Sequence, residues 1–145
     1  MLTSTLSKAV PLVEIPVGIA LALSHAIIDT VRDPLLVLDE NHRITAASRS
    51  FYQTFHFAEK DLRGRLLFEI DGGQWKIPEL RALLETIAKD HAPVEKYEVD
   101  REFPRIGRRM MCLNARKVFY EEDTSFSVLL AFEDITDRNA IERQV

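Results

Sequence analysis

The three strand-like runs that follow Pro93 limit the possible folds of this chain more than any other feature. Glu95 to Phe103 alternates, with Tyr97, Val99 and Phe103 on one side. Arg109 to Tyr120 is long, and Ser125 to Ile135 is rich in Phe, Val and Leu. The acidic run Glu121-Glu122-Asp123 between the last two has the character of a hairpin loop. Upstream, Pro34 to Asp39 reads as a short apolar strand, Glu40-Asn41-His42 as a turn, and Arg43 to Ala47 as the returning strand. A helical block separates the two sets. Ser48 is placed to cap a helix from Arg49 to Phe55, with Phe51, Tyr52 and Phe55 at helical spacing. Ala58 to Ile70 reads as short helical turns, and Asp71-Gly72-Gly73 as a breaker. Pro78 opens the clearest helix: Leu80, Leu83, Leu84 and Ile87 form an apolar stripe, with Glu79, Arg81, Glu85 and Lys89 outside it and Pro93 ending it. Strands on either side of a helical block imply an α+β domain with a largely antiparallel sheet.

The 145 residues suit one domain, and 46% hydrophobic with 29% charged residues is a globular balance. A net charge of −4 argues against general nucleic-acid binding, which needs a basic surplus. One cysteine, Cys112, cannot form an internal disulfide, so a packed core and a reducing, cytoplasmic setting are expected. The apolar stretch Ala9 to Leu23 contains Glu14, Pro11 and Pro16, so neither a membrane span nor a signal peptide is expected there. From Pro16 the pattern turns helical. Val17, Leu21, Ser24, Ile28 and Val31 share one face, and Ile19, Leu23 and Ile27 widen the arc. So wide a stripe is covered on more than one side, by the chain's own domain, by a second copy through Val17, Leu21 and Ile28, or by both. At the other end Thr136 is expected to cap a helix, with Asp137 near its positive end. That helix is too short to stand alone and is expected to continue in a longer parent protein. The layout is therefore a flanking helix region (1–31), a domain (32–136) and the start of a second helix (137–145).

No chemical constellation emerges. The five glycines form no phosphate cradle, and no serine sits in a G-x-S-x-G turn. His25, His42, His56 and His91 lack metal-site spacing, so no metal is expected, and His91 reads as a solvated residue at a helix end. Cys112 reads as a small buried hydrophobe. Arg105, Arg108 and Arg109 make a basic patch near Pro104 and Gly107, with a solvated hairpin as its ordinary role and phosphate or partner binding as the sharper one.

Pro34-Leu35-Leu36-Val37-Leu38-Asp39, then Arg43-Ile44-Thr45-Ala46-Ala47 and Phe51-Tyr52, resembles the opening hairpin and first helix of a PAS domain. Glu133-Asp134-Ile135-Thr136-Asp137-Arg138 resembles the Asp-Ile-Thr motif through which such domains pass into a signalling helix. Two longer blocks, Gly73 to Leu80 and Phe103 to Arg116, are similar to the PAS domains attached to bacterial sensor histidine kinases and chemotaxis methyltransferases. Together the matches run from about Ile28 to Arg138. Lys76 stands where that subgroup tends to have an acid, and Ser48 replaces an asparagine often found after the second strand. The flavin photosensor motif Asn-Cys-Arg-Phe is absent, and no helical histidine matches the haem subgroup, so neither flavin nor haem is expected and the cofactor stays open.

The resemblance implies a five-stranded antiparallel sheet with short helices on one face. The N-terminal helix would lie on the other face, or on a partner's. Val128, Leu130 and Phe132 would point inward, lining an apolar cavity for a small ligand or filling a core. The resulting expectation is a non-catalytic sensory module of a signal-transduction protein, a homodimer whose parent carries a histidine-kinase or similar output domain. Asp134, Ile135 and Thr136 would relay its state. Two rivals stand beside it: a ligand-free dimerisation module, and a small α+β enzyme pairing Asp71 with Arg108 or Arg109.

Overall fold

The computed structural model describes residues 17–90, 92–119 and 125–137; within 17–30 it describes the side chains of 22, 23 and 26–30. Helix α1 (Val17–Thr30) leads into the hairpin of β1 (Leu35–Asp39) and β2 (Ile44–Ala47). Helices α2 (Arg49–Phe55) and α3 (Glu59–Leu62), a 3-10 turn (Leu67–Glu69), a kinked turn (Ile70–Gly73) and helix α4 (Pro78–Lys89) follow. Strands β3 (Val94–Phe103), β4 (Gly107–Phe119) and β5 (Phe126–Asp134) complete the order. All five strands join one antiparallel sheet, in the order β2-β1-β5-β4-β3. This is the α+β architecture expected. Among the described residues no helix is long and apolar enough to cross a membrane.

Local chemistry explains the elements. Ser48 caps α2, accepting from the Phe51 N–H at 3.1 Å. Its hydroxyl also accepts from the Leu35 N–H at 2.9 Å and donates to the Asp33 carbonyl at 3.3 Å. One donor and two acceptors are thereby used, which is all that a buried hydroxyl has to satisfy. The breaker behaves as one: φ is 55° at Asp71, 67° at Gly72 and 86° at Gly73, a conformation that ends helices. In α4, Pro78 occupies the first turn and Leu80, Leu83, Leu84 and Ile87 are buried. Each such side chain contributes about 1.5–3 kcal/mol by leaving water.

One face of the sheet carries the core. Leu36 and Leu38 of β1, Val128, Leu130 and Phe132 of β5, Met111, Leu113 and Ala115 of β4, and Val99 and Phe103 of β3 are all buried. Pairing sets Leu130 between Leu36 and Ala115, and Phe132 opposite Leu113, so the apolar side chains of successive strands form continuous rows. Helix α4 packs over β3 and β4 and is tied at both ends. The Tyr97 hydroxyl donates to the Glu79 carbonyl at 3.1 Å, and Lys117 Nζ donates to the Ala88 carbonyl at 3.0 Å, where a cation complements the helix dipole.

Helix α1 meets α2, and its Ile28 and Asp29 border a cleft with Thr45, Ala46, Ala47 and Tyr52. It thus lies beside the β2 edge of the molecule. Two clefts on the far face of the sheet are lined instead by strand residues such as Glu95, Asn114, Leu129 and Glu133, without α1.

Candidate functional site

The end of β5 is the place where the chain leaves the sheet, and it is held by β4. The pairing of Phe119 with Phe126 continues stepwise to that of Met111 with Asp134. Beyond it, the Ile135 N–H donates to the Met110 carbonyl at 2.8 Å, and the Met110 N–H donates to Thr136 Oγ1 at 2.8 Å. Asp134 Oδ1 accepts from the Thr136 N–H at 3.0 Å and from its hydroxyl. Asp134 Oδ2 lies 3.1 Å from Arg109 Nη1, in a half-exposed ion pair. Ile135 is buried at 8% exposure. Asp134, Ile135 and Thr136 therefore sit together, bonded to a neighbouring strand as well as to one another.

One expectation changes. Thr136 does not serve as the cap of the following helix; helical structure already includes Thr136 and Asp137. The carboxylate of Asp134 satisfies the Thr136 N–H, and this frees the threonine hydroxyl to bridge back to Met110. An acid suits that position because its charge favours the N-terminal end of a helix. Residues 138–145 lie outside the described set, as does His91.

The sequence marks Arg109 only as part of a basic patch; its pairing with Asp134 and the role of the Met110 backbone were not singled out. Counting outward in equal steps from the acidic loop between β4 and β5 places Asp134 opposite Met111, and Arg109 then lies on the same face two residues on.

The pairing of Asp71 with Arg108 or Arg109 does not form. Arg108 and Arg109 are neighbours on a strand, so they project to opposite faces. Arg108 pairs with Asp100 at 3.1 Å, Arg109 with Asp134, and Asp71 with Arg105 at 3.0 Å. Each cation of the basic patch thus has its own acid, and no shared cleft results. Among the described residues no cluster of His, Cys, Asp and Glu could hold a metal ion.

Val128, Leu130 and Phe132 face the helical layer. The Phe132 ring lies 5.6 Å from Phe51, 5.4 Å from Phe55 and 6.4 Å from Trp75, in an aromatic cluster. Of the dimer residues, Ile28 is half-buried in the cleft beside β2, and the side chains of Val17 and Leu21 lie outside the described set. Among the described side chains of α1, the large apolar ones left exposed are Leu23 and Ile27, at 50% and 62%.

The turn between β1 and β2 carries a titratable group with a shifted response. His42 packs edge-on against Phe68 at 5.6 Å, and the Arg81 guanidinium lies 4.3 Å from the same ring. Burial first, and Arg81 second, lower the His42 pKa from 6.5, against the opposing pull of Asp39 and Glu85. The unfolded chain therefore takes up this proton at higher pH than the folded one. Stability falls as pH drops through 6.5 towards the lower folded-state value, below which the loss is complete. Thermal unfolding is expected at lower temperature near pH 5.5 than near pH 7.5. His42→Asn, which tolerates the φ of 69° found there, is expected to flatten that part of the dependence. An identical slope in the variant would assign the effect to other groups.

Residues 23–135 match the family model described as PAS fold. Among solved structures, the PAS domain of Bordetella pertussis BvgS is 20% identical with a TM-score of 0.61, covering 86% of this chain and 93% of that one. A PAS domain from a two-component sensor histidine kinase is 10% identical, with a TM-score of 0.60 and coverage of 82% and 99%. An RNA-binding Light-Oxygen-Voltage receptor is 14% identical with a TM-score of 0.69; 90% of this chain aligns to 37% of that longer one. At these identities the likeness establishes a shared fold. Comparison with curated proteins finds no significant match. With most of its length matched by the family model and its sheet order and helical layer in agreement, the chain belongs to the PAS family of sensory modules.

Proposed function

We propose that this chain is the sensory input module of a larger cytoplasmic signalling protein, of the subgroup joined to sensor histidine kinases and chemotaxis methyltransferases. Its state passes onward through Asp134, Ile135 and Thr136. The observation that carries the reading is the bonding of Ile135 and Thr136 to Met110, which makes the departing segment an extension of β4 and β5. A shift of either strand then moves the start of the following segment with little slack. A ligand can drive such a shift only by binding two states with different affinity. Val128, Leu130 and Phe132 form the sheet wall against which a small apolar ligand would bind. The likeness to a sensor histidine kinase PAS domain supports the choice of output.

Dimerisation belongs to this reading. The wide apolar stripe of α1, which includes Val17, Leu21 and Ile28, leaves Leu23 and Ile27 uncovered in the single chain. Ile27→Glu is expected to reduce the solution mass from dimer to monomer, measured by light scattering during gel filtration. An unchanged mass would remove α1 as the interface.

The sensory reading is tested by native mass spectrometry of freshly purified protein, followed by a thermal-shift screen of small apolar compounds. A ligand at a hundredfold excess over its dissociation constant adds about 2.7 kcal/mol, which is readily visible. Such a ligand should also change amide exchange at Ile135 and Thr136. A complete lack of ligand response would favour the constitutive dimerisation module, a reading that the filled aromatic interior supports.

A further inference from the structure

A cleft of about 190 Å³ opens where α1 lies along the β2 edge, outside the interior between sheet and helices. Polar side chains reach it from separate parts of the chain: Asp29 of α1, Thr45 of β2, Tyr52 of α2, Glu59 of α3, and Arg63 just beyond α3. Three of them are engaged. The Thr45 hydroxyl donates to the Val37 carbonyl at 3.1 Å, and Arg63 pairs with Glu59 one turn away. The Asp29 carboxylate and the Tyr52 hydroxyl have no hydrogen-bond or ion-pair partner among the described residues.

Two carboxylates therefore share the cleft with one guanidinium, which leaves it a negative surplus. Tyr52 registers their nearness. Burial first, and the charge of Glu59 next, raise its pKa above the ordinary 10.0, with Arg63 opposing and Asp29 adding to the rise. The phenol thus stays neutral near pH 7, and its oxygen can accept a hydrogen bond.

Like charges brought into one cleft are relieved by a cation. Among the described residues no group of ligands forms that could hold a metal ion, so the donor set favours an organic cation. An ammonium group is a compact charge with three donors. Asp29, Glu59 and Tyr52 offer it three oxygen-bearing partners, while Ile28, Ala46 and Ala47 give an apolar lining for a short alkyl chain. The volume lies below the roughly 300–1,000 Å³ of pockets for drug-sized ligands, so the occupant is small.

We propose that this cleft binds a small primary amine as its alkylammonium ion, which ties α1 to α3. The site lies apart from Val128, Leu130 and Phe132, and it holds whether or not α1 is a dimer interface.

n-Butylamine, protonated at neutral pH, is the probe. In an NMR titration of the nitrogen-15-labelled chain, butylammonium chloride is expected to shift the Ala46 and Ala47 amides saturably. Sodium chloride at equal concentration and uncharged 1-butanol are not. Asp29→Asn and Glu59→Gln are each expected to weaken binding about tenfold or more, the effect of losing one charge-assisted hydrogen bond. Both carboxylates are exposed, so both variants should keep the fold. Glu40→Gln removes an equal charge from the β1–β2 turn, away from the cleft, and should leave the affinity unchanged. Absent or non-saturating shifts overturn the proposal, as does unchanged affinity in Asp29→Asn and Glu59→Gln. Equal shifts with 1-butanol would assign the binding to apolar contact, and an equal loss in Glu40→Gln would assign it to overall charge; either result also overturns it.

Discussion

Phe132→Ala is expected to lower the free energy of unfolding by about 3–5 kcal/mol, the range for truncating a buried aromatic side chain. Phe132 is 1% exposed and contacts Phe51, Phe55 and Trp75, so its removal strips contacts from three rings at once. β5 lies between β1 and β4, so the backbone around the gap cannot easily collapse into it. Against a total stability of about 5–15 kcal/mol, the loss is large. Urea unfolding followed by Trp75 emission measures it. Phe119→Ala, at a half-exposed site on the far end of β4, is expected to cost less than about 1 kcal/mol. The enlarged interior of Phe132→Ala should also bind benzene-sized compounds, as apolar engineered cavities do. A cost under about 1 kcal/mol would show that the interior around Phe132 is not packed as described and that room for a ligand already exists there.

Thr136→Val has the second largest expected effect, and it is local. The substitution preserves shape but leaves the Met110 N–H without its acceptor and removes one donor from Asp134. Leaving such a group unsatisfied costs about 1–3 kcal/mol. Since each 1.4 kcal/mol is about tenfold, amide exchange at Met110 and Ile135 should quicken tenfold or more. Global stability should change far less, because the lost bonds lie at the margin of the sheet and open separately from its core. Asp134→Asn retains an acceptor for the Thr136 N–H and loses the charge facing Arg109. A half-exposed ion pair is worth about 0–1 kcal/mol, so its effect should be smaller. Unchanged exchange in Thr136→Val would mean that β4 does not hold the departing segment, and the relay would lose its basis.

Much of this fold was legible in advance because its signals are local. The apolar stripe of α4, the Ser48 cap, the β1–β2 turn and the Asp71-Gly72-Gly73 break each lie within a dozen residues and follow from periodicity and backbone preference. The inward set of β5, Val128, Leu130 and Phe132, follows from alternation once one face is known to be covered. The site was less legible. Thr136 carries the marks of a cap, and only the proximity of Met110 turns its hydroxyl to a different use. Arg105, Arg108 and Arg109 look like one basic patch along the chain, yet strand alternation and distant acids divide them among three partners.

Taken alone, the order of residues determined which segments become helix or strand, where they stop and which side chains go inside. It did so because those choices depend on neighbours a few positions away. The placement of β5 between β1 and β4, the bonds from Arg105 to Asp71 and His56, and the anchoring of Thr136 on Met110 were decided only by the assembled tertiary structure. These contacts join groups 26 to 49 positions apart, and a short-range polar bond has no meaning until packing of the core has brought its partners within about 3 Å.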